Sequence, residues 1–181
     1  METNSGTVNL ALLANLKILV VEDSATMRNL LTTLLTAMGI GEIICATNGD
    51  EGVALFASRA PDLIITDGMM QPMTGYAMTR AIRSMREHNG SDVPVVMLSG
   101  HGDADIVEWA RDEGVNDYIV KPVTPQLLYE RVLAAISTPL HLVETATYRG
   151  PSPRRRLVPH QAVIQTEIVE TPQFLQTGKP H

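Results

Sequence analysis

Between residues 17 and 137, short apolar runs alternate with longer amphipathic stretches. The runs, at 17–22, 43–46, 62–67, 93–98 and 116–120, are rich in Val, Ile and Leu. Runs this short and continuous read as strands buried on both faces, and the helical stretches between them make βα units of a parallel sheet. The firmest helix joins the first two strands. There Met27, Leu30, Leu31, Leu34, Leu35 and Met38 recur at three- and four-residue spacing, with Ser24 at the N-cap and Gly39 as the stop. Residues 50–59, 75–87, 103–113 and 125–137 supply four more helices, several closed by turn signals such as Ala60-Pro61 or Gly114. Right-handed crossovers then set helices on both faces of the sheet.

Beyond 137 the pattern stops. Residues 138–181 hold six of the eleven prolines and no long periodicity. The expected organisation is a leader over 1–16, one domain over 17–137, and a tail over 138–181 that is largely disordered or docks as a segment. Leu10 to Leu16 is expected to form a short helical turn before the first strand. The β-branched residues of Ala162 to Val169 suit docking as an extended segment.

A chain of 181 residues that is 44% hydrophobic can bury one ordinary core but not two. The net charge of -6 is uneven: up to residue 137 there are nine basic and seventeen acidic residues, and after it five and three. An acidic body disfavours nucleic acid. The densest positive charge, Arg154-Arg155-Arg156, lacks interleaved aromatics or a helix-turn-helix and reads as a solvated linker. The single cysteine, Cys45, lies in an apolar run and has no intrachain partner, so a buried thiol in a reducing cytoplasm is expected. No segment before the first strand approaches the ~20 apolar residues of a bilayer span, and neither signal peptide nor anchor is read.

Chemistry gathers where the strands end. The first run ends in Glu22-Asp23, the third in Asp67, and the fifth continues into Lys121-Pro122. In a parallel α/β sheet the carboxyl ends of the strands share one edge, so three acids and one base converge there. Clustered carboxylates repel, and a hard divalent cation with oxygen ligands relieves them; Mg²⁺, which keeps waters and shares phosphate, fits best. Asp67 can then act as a nucleophile toward phosphorus, with Lys121 pairing the phosphoryl oxygens. Taken singly, each acid is as well explained as a strand-end or capping residue.

Together these residues resemble the receiver domain of bacterial two-component response regulators, the CheY-like family. The resemblance covers residues 17–137. Glu22 and Asp23 stand at the family's acidic pair, Asp67 at its phosphoacceptor, Ser99 at its switch hydroxyl, Tyr118 at its switch aromatic, and Lys121-Pro122 at its lysine and proline. Gly75 falls eight residues after Asp67, Lys121 twenty-two after Ser99, and Tyr118 three before Lys121, as that family requires. Three departures stand out: Gln71 precedes a displaced Pro72, Gly100 replaces the commoner alanine, and Glu22 replaces the commoner aspartate.

The resemblance implies a flavodoxin-like (βα)5 fold with strand order 2-1-3-4-5, and Mg²⁺ held by Glu22, Asp23, Asp67 and the backbone carbonyl of Met69. It implies phosphorylation of Asp67 by a sensor histidine kinase or histidine phosphotransfer protein. Ser99 and Tyr118 would then switch the face of the fourth helix, fifth strand and fifth helix toward a downstream protein target. Trp109, with acidic helical neighbours, is expected on that face, where with Tyr118 it meets a partner or a second copy of this chain. A cytoplasmic phosphorelay module with only self-phosphorylation and slow self-dephosphorylation follows. A receiver-like interaction module independent of phosphorylation is the alternative. An aspartyl phosphatase comes third, because Gly68 and Met69 supply no second acid for the leaving group.

Overall fold

The computed structural model describes residues 10–85, 92–100, 104–137, 142–144, 149–151 and 160–161. Its first element is a short helix, α1 (Leu10–Leu13), the expected turn before the sheet. Strands β1 (Lys17–Val21), β2 (Glu42–Ala46), β3 (Leu63–Asp67), β4 (Val95–Ser99) and β5 (Asp117–Val120) follow the five apolar runs. They lie parallel in the order 2-1-3-4-5. β4 starts two residues later than its run because Pro94 has no N–H for the ladder; only its carbonyl serves, accepting from the Ile64 N–H at 2.9 Å. The last residue of β4 is Ser99.

Helices α2 (Ala25–Ala37), α3 (Gly49–Arg59), α4 (Gly75–Ser84), α5 (Ala104–Asp112) and α6 (Pro125–Ser137) alternate with these strands. Four starts among the described residues are capped by side chains, that of α6 by Thr124, which accepts from the Leu127 N–H at 3.2 Å. Ser24 accepts from the Met27 N–H, Asn48 from that of Glu51, and Thr74 from that of Ala77, satisfying N–H groups that a first turn leaves orphaned.

The central strands β3 and β4 are buried at every position. On one face Ile18, Val20, Leu63, Ile65, Val96 and Leu98 pack against Leu31 and Leu35 of α2 and Leu128 and Val132 of α6. On the other, Leu19, Val21, Ile64 and Val95 meet Phe56 of α3 and Met78 and Ile82 of α4. Each such side chain contributes about 1.5–3 kcal/mol of burial, which over so many positions dominates the terms favouring folding. A smaller cluster, Tyr76, Met97, Val107, Ala110, Val115 and Tyr118, fills the space under α5.

Two features depart from the sequence reading. Cys45 is exposed, not buried. β2 is the outer strand, and its residue 45 lies on the α2 side of the sheet, beyond the cover that reaches Ile43; Ile44 and Ala46, facing α3, are buried. The sheet also has a sixth strand. β8 (His160–Gln161) pairs in parallel with Ile119 and Val120 of β5, while β6 (Leu142–Glu144) and β7 (Arg149–Pro151) form an antiparallel ladder. The expected docking segment, Ala162 to Val169, lies outside the described residues, as do 1–9, the last residues of the predicted 75–87 helix, His101 and Arg154-Arg155-Arg156. No helix among the described residues is long and apolar enough to cross a membrane.

Candidate functional site

The sheet brings the strand-end acids and the lysine together. Glu22 directly follows β1, Asp67 closes β3, and Lys121 directly follows β5, all at one edge. One oxygen from each of Glu22, Asp23 and Asp67 lies within 4.8 Å of the others. The Lys121 ammonium donates to Asp67 Oδ2 at 3.0 Å and to Glu22 Oε2 at 3.2 Å. Its own N–H donates to the Ser99 carbonyl at 2.7 Å, tying the lysine to the end of β4.

Local contacts hold these groups. Arg28, on the first turns of α2, donates to the Glu22 carbonyl at 2.7 Å and to that of Asp23 at 3.4 Å, fixing the acidic pair by its backbone. Glu22 Oε1 accepts from the Ser24 N–H, and Asp67 Oδ1 from the Met69 N–H at 3.2 Å. The loop after Asp67 folds back, so that the Gly75 N–H donates to the Gly68 carbonyl at 3.1 Å. A Cβ on Gly75 would stand 2.0 Å from the Asp67 carbonyl oxygen, a close approach that only glycine permits.

Burial sets the electrostatics. Glu22 is 1% exposed. Desolvation, and after it the neighbouring Asp67 charge, push its carboxyl above the ordinary range, with Lys121 only partly offsetting them. For Lys121 burial works to lower the pKa, yet its hydrogen bond and charge pairing with Asp67, and then with Glu22, prevail and hold it above the usual lysine value.

The donor set fits a small hard cation. Two Mg²⁺–oxygen bonds of about 2.1 Å span at most about 4.2 Å, so the carboxylates need close only slightly around an ion. Asp23 is exposed and can turn inward, whereas Glu22 is already engaged with Lys121 and Ser24 and suits a contact through water.

Ser99 and Tyr118 are both buried, at the end of β4 and within β5. Tyr118 is 0% exposed and, in this conformation, offers no surface to a partner. Its position in the pleat turns it into the cluster under α5. Trp109 is 45% exposed and stacks on Tyr76, the ring centroids 4.3 Å apart. Met69 is 61% exposed beside Asp67. Sequence reasoning missed Tyr76 and Arg28. The only signal for the former was an aromatic placed directly after Gly75.

A family model for the response regulator receiver domain matches residues 18–133. The probable transcriptional regulator ycf27 of Porphyra purpurea is 37% identical over 120 residues, 66% of this chain but 47% of that protein. The chain thus spans about half the length of such curated relatives. The chemotaxis protein CheY homolog of Campylobacter jejuni is 35% identical over 124 residues, 68% of this chain and 94% of that one. A putative response regulator from Chloroflexus aurantiacus superposes with a TM-score of 0.63 at 28% identity, covering 68% of this chain and 98% of that one. CheY in the CheX–CheY–BeF3–Mg complex of Borrelia burgdorferi gives 0.60 at 26% identity, covering 66% and 87%. With five parallel strands in the order 2-1-3-4-5 and an acidic cluster at their carboxyl edge, this chain belongs to the response regulator receiver domain family of two-component signalling.

Proposed function

We propose that residues 17–137 form a phosphoacceptor module in which Asp67 takes a phosphoryl group from a sensor histidine kinase or a histidine phosphotransfer protein. The observation that carries this is Lys121 Nζ at 3.0 Å from Asp67 Oδ2, within the same cluster as Glu22 and Asp23. An Asp67 oxygen forms the new bond to phosphorus while the bond from phosphorus to the donor's nitrogen or oxygen breaks, the leaving group keeping that electron pair. Lys121, already charged and paired, balances the added negative charge on the phosphoryl oxygens. Ser99, buried at the end of β4, donates a hydrogen bond from its hydroxyl to one of them.

Glu22, Asp23, Asp67 and the Met69 carbonyl would hold Mg²⁺. Bound there, the ion supplies charge neutralisation between the carboxylates and the incoming phosphoryl oxygens. The similar CheY from Borrelia burgdorferi, in a complex with BeF3, Mg and the protein CheX, supports both this ion and a protein partner for the present chain. The module itself is no turnover enzyme beyond taking up and slowly losing its own phosphoryl group. It works in the cytoplasm through a downstream protein target or a second phosphorylated copy.

Acetyl phosphate with Mg²⁺, followed by intact mass, tests the reading. One phosphoryl group is expected on the wild type and none on Asp67→Asn. A mutant that still gains mass, or a wild type indifferent to chelation of Mg²⁺, refutes it. A second reading, in which the output face forms without phosphorylation, draws on the full burial of Tyr118. In that case Asp67→Asn binds the target as tightly as the wild type.

A further inference from the structure

Tyr76, the second residue of α4, is 1% exposed and meets four functional neighbours at once. Its ring covers Gly68, the residue after Asp67: a Cβ there would stand 2.8 Å from Cε2 and 2.9 Å from both Cζ and Oη of the tyrosine. Gly68 is therefore the space into which the phenol fits. Tyr76 shares a buried cluster with Tyr118, and burial first, then hydrogen bonding with Tyr118, raise its phenol above the ordinary range while hydrogen bonding with Ser99 works the other way. The ring also packs on Trp109, with the centroids 4.3 Å apart and the planes tilted by 34°. Ser99, Tyr118 and Trp109 come from β4, β5 and α5, so one side chain joins three elements to the loop after Asp67.

The proton count makes this arrangement responsive. A serine hydroxyl has one proton to donate and a phenol has one. Tyr76 has hydroxyl neighbours in both Tyr118 and Ser99, and giving its one proton to Tyr118 leaves it to accept from Ser99. A phosphoryl group on Asp67 brings three strong acceptor oxygens to the end of β4. Once Ser99 donates there, its proton is lost to Tyr76. A buried polar group that loses a partner re-pairs or moves, and the close packing around Tyr76 passes any movement to the rings it touches. Trp109, being 45% exposed, carries that movement to the surface.

We propose that Tyr76 is the positioning residue that couples a phosphoryl group on Asp67 to the exposed Trp109 face, by competing with that group for the Ser99 hydroxyl. The proposal rests on the phosphoacceptor reading above. It assigns to Tyr76 a role separate from the Ser99 and Tyr118 pair, since its ring meets both the loop after Asp67 and the tryptophan.

Trp109 is the only tryptophan in the chain, so its emission reports this contact directly. The full-length chain is treated with acetyl phosphate and Mg²⁺, and emission is read on samples whose phosphorylated fraction is measured by intact mass. The wild type is expected to change its emission on phosphorylation. Tyr76→Phe keeps the stacked ring and loses only the hydroxyl; at equal phosphorylation its change should be at least threefold smaller. Gly68→Ala pushes directly on the phenol and should shift the resting emission before any phosphodonor is added. That second variant keeps the test decisive even where Tyr76→Phe fails to fold. A wild type that gains no phosphoryl mass overturns the underlying reading and this proposal together. A wild type that gains mass without any emission change, a Tyr76→Phe chain with the full change, or a Gly68→Ala chain with unaltered resting emission overturns the coupling alone.

Discussion

Gly75→Ala is the substitution whose effect runs most directly against local expectation. Glycine at the start of a helix costs stability, and alanine in its place normally adds about 0.4–1 kcal/mol. Here the new Cβ would stand 2.0 Å from the Asp67 carbonyl oxygen, 2.8 Å from Thr66 Oγ1 and 3.0 Å from the Asp67 carbonyl carbon. Ordinary contact requires about 3.5 Å, so β3 and α4 must separate by more than 1 Å locally, roughly the gap a packed interior resists most. The nearest obstructing atom belongs to the backbone of a fully buried strand, not to the tip of a flexible side chain. Separation also stretches the bond from the Gly75 N–H to the Gly68 carbonyl, about 1 kcal/mol by itself. Overpacking costs of about 1–3 kcal/mol, with the weakened hydrogen bond, then outweigh the propensity gain, and the net loss is expected at about 1–3.5 kcal/mol, roughly 4–14 °C in Tm for a domain of this size. Gly100→Ala is the matched control. A Cβ at Gly100 meets nothing within 4 Å and its φ is not in the left-handed region, so that variant should be neutral or gain up to about 1 kcal/mol. Urea unfolding of both variants measures the difference, and the initial rate of phosphorylation should fall only for Gly75→Ala, whose displaced loop carries Gly68 and Met69. A Gly75→Ala chain within about 0.5 kcal/mol of the wild type refutes the argument.

Two further outcomes are expected. Met69, exposed and anchored by its N–H beside Asp67, can cover a phosphoryl group but orients water only weakly, so Met69→Asn should shorten the phosphoryl half-life in Mg²⁺; an unchanged or longer half-life removes Met69 as a shield. Glu51 accepts from both the N–H and the hydroxyl of Thr47, which hold its carboxyl below the ordinary range. A depressed folded pKa contributes stability that is present above pH 4.5 and lost as pH falls through the folded value. Being exposed, the group should contribute at most about 0.5 kcal/mol, and urea unfolding of Glu51→Gln should lack that acid-side component; identical pH dependence in the two chains contradicts it.

The sequence by itself determined the five strands, the helices between them and the edge at which Glu22, Asp23, Asp67 and Lys121 meet. Those are consequences of short-range periodicity: a continuous apolar run makes a buried strand, and the residue at its end has to emerge where every parallel strand ends. Ser24 as a cap and Gly39 as a stop were legible for the same reason, since capping acts within a single turn. Long-range matters were decided only by the folded chain. Cys45 looked buried because its neighbours are apolar, yet exposure at that position depends on β2 being the outer strand, a fact of sheet order. The pairing of His160–Gln161 with β5 joins residues some forty positions apart through a backbone ladder that leaves no side-chain pattern. Tyr76 shows the same limit at the site itself. Nothing local distinguishes it from any aromatic in a first helical turn; its meeting with Ser99, Tyr118 and Trp109 required the loop after Asp67 to fold back over Gly68, because three-dimensional packing places side chains where periodicity along the chain carries no information.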